Sequence, residues 1–293
     1  MEFRDNANID QSRVRYGGGG GRRGRGVAVG GGIGGVIMLV LVLIFGPALG
    51  IDPASVLGGS GGSDYTTGEV SDNPSCTKGS DIERDPDCRW PAYVTAVDGF
   101  WETQVNGYRR SPTQLYSGAI QTGCGAASSQ MGPFYCPGDE TVYIDTEFMG
   151  LLLKQLGAQG GYAAEAYIVA HEYGHHVQQL TGALSKGRQG AQSGPKSGTV
   201  RLELQADCYA GVWFYNTVRD PESVIETVTT EDLNIILDAA RAVGDDHIQR
   251  QQVGQVIQED WTHGSSEQRQ RWLHKGFTTG DPMACDTFAT DNL

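Results

Sequence analysis

Near the middle of the chain, His171-Glu172-Tyr173-Gly174-His175 sets two imidazoles four positions apart with a carboxylate beside the first. On a helix, positions i and i+4 share a face, so both rings can reach one metal ion. Glu172 can then address water at the side of that site and accept its proton as the water attacks a carbonyl. His176 points about 100° away from His175 around the helix, which makes it a poorer ligand. A catalytic zinc ion takes three protein ligands and keeps one position open. Glu203 and Asp207, also four apart, lie among Leu202, Leu204, Ala206 and Cys208. Carboxylates in so apolar a stretch need a metal or a histidine as partner. Glu203 is the expected third ligand, and Asp207 the acceptor for the outer N–H of a ligand imidazole. The competing account makes both ordinary surface acids at helical spacing.

Attack on a carbonyl also calls for a donor to the developing oxyanion, opposite the base. His263, in the turn Trp261-Thr262-His263-Gly264-Ser265-Ser266, is the candidate, against the plainer role of a loop histidine in a structural hydrogen bond. His247 and His274 have helical neighbours and weaker claims. Tyr143 and Tyr173 offer phenolic donors, although most tyrosines in such segments simply pack.

These groups need helices to hold them. Residues 162–180 read as the helix that carries the histidine pair, after a break at Gly157, Gly160 and Gly161. Residues 199–219 form the second, stopping before Pro221. Further helices are expected at 90–108, 148–156, 230–243 (capped by Thr230), 247–260 and 266–277. The last opens with a Ser265/Gln268 capping box. Residues 181–197 read as an exposed loop, and 115–144 as irregular, with strands at 132–136 and 141–144. By analogy with peptide recognition elsewhere, Thr141–Asp145 is the expected strand edge for an extended substrate. The outcome is an α+β domain, mostly helical with a small sheet.

Charge and hydropathy divide the chain. Residues 1–26 hold six arginines and three acids, residues 27–51 carry no charge, and the remainder has 16 basic against 32 acidic side chains. So acidic a domain excludes nucleic acid as a partner, since phosphate neutralisation needs a basic surface. An uncharged run of this length suits one transmembrane helix. Arg22, Arg23 and Arg25 ahead of it predict a cytoplasmic N-terminus and an extracytoplasmic C-terminal domain. A cleaved signal peptide fits less well, because its apolar region is shorter and nearer the terminus. The expected organisation is a disordered basic cytoplasmic tail at 1–26, an anchor in the lipid bilayer at 27–51, a flexible Gly/Ser linker at 52–75 and a folded domain at 76–293. All six cysteines follow the anchor, as disulfides in an oxidising compartment require. The two 12-residue spacings suggest Cys76 with Cys88 and Cys124 with Cys136, leaving Cys208 with Cys285 as one of 15 pairings the sequence permits.

The segments Phe134-Tyr135-Cys136-Pro137, Tyr143-Ile144-Asp145, His171 to Gln178, Glu203 to Gly211, Gly244-Asp245-Asp246 and Trp261 to Arg269 together resemble the putative neutral zinc metallopeptidase family of bacteria. The resemblance covers nearly the whole chain. It implies a zincin-like fold, with His171 and His175 as zinc ligands and Glu172 as base. In the wider gluzincin group a second helix of Glu-x-x-x-Asp form supplies the third ligand, here Glu203 with Asp207 behind it. The expected function is a membrane-anchored zinc metalloendopeptidase acting on a peptide or protein substrate. A zinc hydrolase of a non-peptide amide or ester, and a non-catalytic zinc-stabilised envelope binding protein, are the alternatives. The sequence leaves the oligomeric state open.

Overall fold

The computed structural model describes residues 1–17 and 76–293. The expected anchor at 27–51 and linker at 52–75 lie outside the described residues. Among the described residues, no helix is long and apolar enough to cross a membrane.

Seven helices longer than two turns dominate the regular structure of the described residues: α1 Arg89–Gln104, α2 Thr146–Gln155, α3 Tyr162–Thr181, α4 Gly198–Thr217, α5 Thr230–Ala242, α6 Asp245–Val253 and α7 Ser266–Thr279. Eight short strands accompany them: β1 Glu2–Phe3, β2 Val14–Tyr16, β3 Thr113–Tyr116, β4 Ala119–Thr122, β5 Gly125–Ser128, β6 Phe134–Cys136, β7 Thr141–Asp145 and β8 Ile225–Thr227. The architecture is helix-rich α+β. The main sheet runs β2-β3-β7-β6, with β2, β3 and β7 parallel and β6 antiparallel to β7. β4 and β5 form a separate hairpin inside the stretch expected to be irregular.

Helix ends follow local chemistry. Asp145 caps α2 by accepting from the backbone N–H groups of Glu147 and Phe148. Ser197 caps α4 through Val200, and Ser265 with Gln268 forms the expected box on α7. On α5 the cap is Thr229, paired reciprocally with Asp232, rather than Thr230. The box satisfies two otherwise orphaned N–H donors, those of Asp232 and of Thr229 itself. Nor are residues 247–260 one helix: Gly254, at φ 72°, ends α6 in a left-handed turn, and Gln258–Asp260 is a separate 3-10 turn.

α4 is the spine, with α3 on one side and α7 on another. Two close approaches set this packing. A Cβ at Gly174 would stand 3.0 Å from Ala206 Cα, and one at Gly276 only 1.9 Å from the Cys208 carbonyl. Glycine lets the backbones meet there, which brings residues of α3 and α7 to the Glu203–Asp207 turn of α4. Trp90, Trp101, Trp213, Tyr93 and Phe214 fill the surrounding core. The disulfides are Cys76–Cys88, Cys124–Cys136 and Cys208–Cys285, the pairing that spacing suggested.

Two expectations are overturned here. Residues 1–17 are not a disordered tail. β1 pairs with β8, β2 pairs with β3, and Ala7, Ile9 and Val14 are buried in the main core. The alternation of apolar and polar residues before Gly17 supplies a docking face that averaging over an Arg/Gly-rich segment conceals. Thr141–Asp145 is not a free edge either. β7 lies between β3 and β6, so its backbone groups are already paired and the edge passes to β6.

Candidate metal centre

The i, i+4 geometry of α3 and the close approach at Gly174 bring three potential ligands together. His171, His175 and Glu203 are all buried, and one ligand atom from each lies within 4.8 Å of the others. His171 Nε2 is 3.1 Å from Glu203 Oε2, and His175 Nε2 is 3.5 Å from Glu203 Oε1. Ligands about 2.1 Å from a tetrahedral zinc stand about 3.4 Å apart. The donor set and its spacing therefore fit that ion.

Both rings are aimed by their outer nitrogens. His171 Nδ1 lies 2.9 Å from Asp207 Oδ1, and His175 Nδ1 lies 3.0 Å from Gln178 Oε1. The Gln178 amide nitrogen donates to the Leu202 carbonyl at 2.7 Å and to Gln205 Oε1, which leaves its oxygen facing His175. With Nδ1 held, each Nε2 faces Glu203, where loss of its proton would leave a lone pair for the ion. Asp207 is itself clamped. Arg269, buried on α7, donates to both its oxygens at 2.8 and 2.9 Å, and the Tyr167 hydroxyl donates at 2.6 Å. Sequence reading assigned no role to Gln178 or Arg269. Only the helical spacing of Gln178 from His175 hinted at the first.

Burial sets the charge balance. It pushes the Glu172 carboxyl up to about 7, the nearby His171 opposing that rise and Glu203 adding to it. The backbone N–H of Tyr135, on β6, also opposes the rise. Burial would raise Glu203 as well, but the charge of His175 and the hydrogen bond from His171 prevail, and it ends below the usual carboxylate range. Burial pulls His171 down, yet Asp207 and then Glu203 outweigh it and hold the metal-free ring up at about 9. His175, where burial dominates, is lowered.

His263 lines the same cavity as His171, Glu172, His175 and Glu203. Its loop is organised by Asp245, at the start of α6. One Asp245 oxygen accepts backbone N–H bonds from Thr262, His263 and Gly264 at 2.8, 2.7 and 2.9 Å. The other lies 3.2 Å from His263 Nδ1. Burial lowers the His263 pKa, but the bond to Asp245 outweighs it and the net shift is upward.

The remaining candidates lie elsewhere. His247 bonds the Leu156 carbonyl, and His274 is not a member of the metal-binding group. His176 Nε2 bonds the Arg109 carbonyl and its Nδ1 the Tyr135 hydroxyl, so its role is to tie α3 to β6. Tyr143 donates to Asp139, and Tyr173 bonds Thr113 and the Ser111 carbonyl, away from the cavity.

The chain matches the putative neutral zinc metallopeptidase family over residues 1–288. The uncharacterized protein Rv2575 of Mycobacterium tuberculosis is 48% identical over 253 residues, covering 84% of this chain and 85% of the relative. The uncharacterized protein YpfJ of Escherichia coli K12 is 37% identical over 294 residues, or 97% and 96% of the two chains. No solved structure matches. The chain belongs to the putative neutral zinc metallopeptidase family.

Proposed function

We propose that this chain is a zinc-dependent endopeptidase, with His171, His175 and Glu203 holding the ion. The observation that carries this reading is the union, in one buried cleft, of a ligand set at tetrahedral spacing with a carboxylate that is not part of that set. A structural zinc site is closed by four ligands and has no use for a neighbouring base. Zinc held here supplies Lewis acidity, polarising a carbonyl and bringing the pKa of water toward neutrality.

The chain's own groups do the rest. Glu172, pushed up to about 7, takes the proton of the attacking water and hands it to the departing amine. His263, set by Asp245, donates to the oxygen on which negative charge develops. An extended peptide lies along β6, the edge strand beside the cleft, rather than along β7. Met131, Phe134, Leu156, Ile168 and Ile248 wall the cavity and favour an apolar side chain next to the scissile bond. Residues 27–51 hold the protein at a bilayer, with residues 76–293 on the oxidising face where the disulfides form.

The test is zinc content and digestion of a peptide library by the purified full chain, native and Glu172→Gln in parallel. The expected result is about one zinc in both and cleavage by the native chain alone, as one catalytic site with an intact ligand set requires. Zinc in both with cleavage in neither would overturn the peptidase reading.

A further inference from the structure

Residues 1–17 and the domain that begins at Cys76 are separated in sequence by the uncharged run 27–51. A single crossing by that run puts its two flanks on opposite sides of a membrane. The described residues form one packed unit that includes both flanks. We infer that residues 1–17 are a structural part of the metallopeptidase domain and lie on the same side of the membrane as residues 76–293.

Four separate contacts carry this. β2 extends the main sheet, with Val14, Arg15 and Tyr16 in parallel register with Thr113, Gln114 and Leu115. Residues 5–9 pair with the start of the domain: Ile9 N–H donates to the Thr77 carbonyl, Gly79 N–H to Ala7 and Ser80 N–H to Asp5. The approach is close enough that a Cβ on Gly79 would stand 2.2 Å from the Arg4 carbonyl oxygen. β1 pairs with β8, and the Thr227 hydroxyl donates to Glu2 at 2.6 Å. Lastly, Arg13 pairs with Asp98 of α1, whose side chain is fully buried.

That last pair decides against a loosely attached tail. With Arg13 gone, Asp98 would keep the Tyr108 hydroxyl at 2.6 Å but lose its only salt-bridge partner among the described residues. Undocking would also uncover the β3 edge and strip the core of Ala7, Ile9 and Val14. The docked strand supports the site as well. Val14 pairs with Thr113, whose hydroxyl lies 2.9 Å from that of Tyr173, the residue after Glu172. A polypeptide on the far side of a bilayer can make none of these contacts. The Cys76–Cys88 disulfide, beside the strip where residues 5–9 dock, places that strip in an oxidising compartment.

The experiment uses the full-length chain in intact cells, with Glu2 exchanged for the photoreactive benzoylphenylalanine. Glu2 is exposed and faces Thr227. Illumination is followed by digestion and mass spectrometry, with the three native disulfides scored in the same digest as a control for folding. The expected result is a cross-link from position 2 to residues 225–228 of the same chain, formed before any lysis. A link that forms only after detergent lysis, or never, overturns the inference. So does a link joining two differently tagged copies, because the strand would then come from another molecule.

Discussion

Asp245 offers the sharpest test of how the site is held. Its carboxylate is 3% exposed and gathers three consecutive backbone N–H groups while facing His263 Nδ1. If His263 donates to the oxyanion, His263→Ala should lower kcat by about 10²–10³-fold, about 2.7–4 kcal/mol of transition-state stabilisation, with KM nearly unchanged. Asp245→Asn keeps an oxygen for the loop and removes only the charge, so the expected loss is about 10-fold, as for other groups that orient a site through a neighbour. The pH profile separates orientation from mere folding. Burial lowers the His263 pKa but Asp245 outweighs it, so the ring keeps its proton to a higher pH than an ordinary histidine. Without that charge the proton leaves earlier, and the alkaline limb of kcat should move to lower pH in Asp245→Asn. Asp245→Ala goes further, leaving three N–H groups without their charged acceptor. Each such bond is worth about 1.5–3 kcal/mol, but relaxation and water entry reduce the sum to about 3–5 kcal/mol of lost stability. Steady-state peptide hydrolysis from pH 5 to 10, with zinc content measured for each variant, is the assay. An unchanged kcat in zinc-loaded His263→Ala refutes the donor role, and an unmoved alkaline limb in Asp245→Asn refutes the positioning role.

Zinc uptake should depend on pH through His171, whose metal-free pKa is held up at about 9. Below that value the ion must displace a proton, so the apparent association constant should rise about tenfold per pH unit and flatten above it. Titration calorimetry in buffers of different ionisation enthalpy should show about one proton released at pH 7, and a pH-independent affinity would contradict the shift. Arg269→Met leaves the Asp207 carboxylate buried with only Tyr167 and His171, at an expected cost of about 3–5 kcal/mol. At about 2–4 °C per kcal/mol for a domain of this size, the melting temperature should fall by about 10 °C, and a fall under about 2 °C would show that Arg269 does not hold Asp207. Replacing both Cys208 and Cys285 by Ser opens a 77-residue loop. Denaturant unfolding should then report a loss of about 4 kcal/mol, and an unchanged midpoint would show that the bridge adds nothing to the packing of α4.

What was legible in the sequence follows how far apart in the chain the relevant contacts lie. His171 with His175, and Glu203 with Asp207, are readable because helical periodicity alone puts each pair on one face. The Ser265/Gln268 box and the capped start of α7 are equally local. Arg269 was hidden because its partner Asp207 lies 62 positions away, across a helix contact that Gly211 and Gly276 make possible. Asp245 was hidden likewise, since nothing in Gly244-Asp245-Asp246 says that three N–H groups of a later loop will converge on one of its oxygens. The strand error has the same origin. Residues 113–116 carry too few apolar positions to declare themselves, and without β3 in place β7 looked like an edge.

The N-terminal segment failed for a different reason. Five glycines from Gly17 and three arginines after them dominate the composition of residues 1–26 and imply disorder. Yet Phe3, Ala7, Ile9 and Val14 precede that run, and each meets the core through a partner 68 or more positions later. Short strands of two or three residues have no stability of their own. They order only because β3, β8 and the strip at 77–80 already present unpaired backbone groups to them. A docked strand of this kind is therefore a property of the finished domain, and the sidedness of residues 1–17 has to be argued from the fold rather than from the arginines that flank the apolar run.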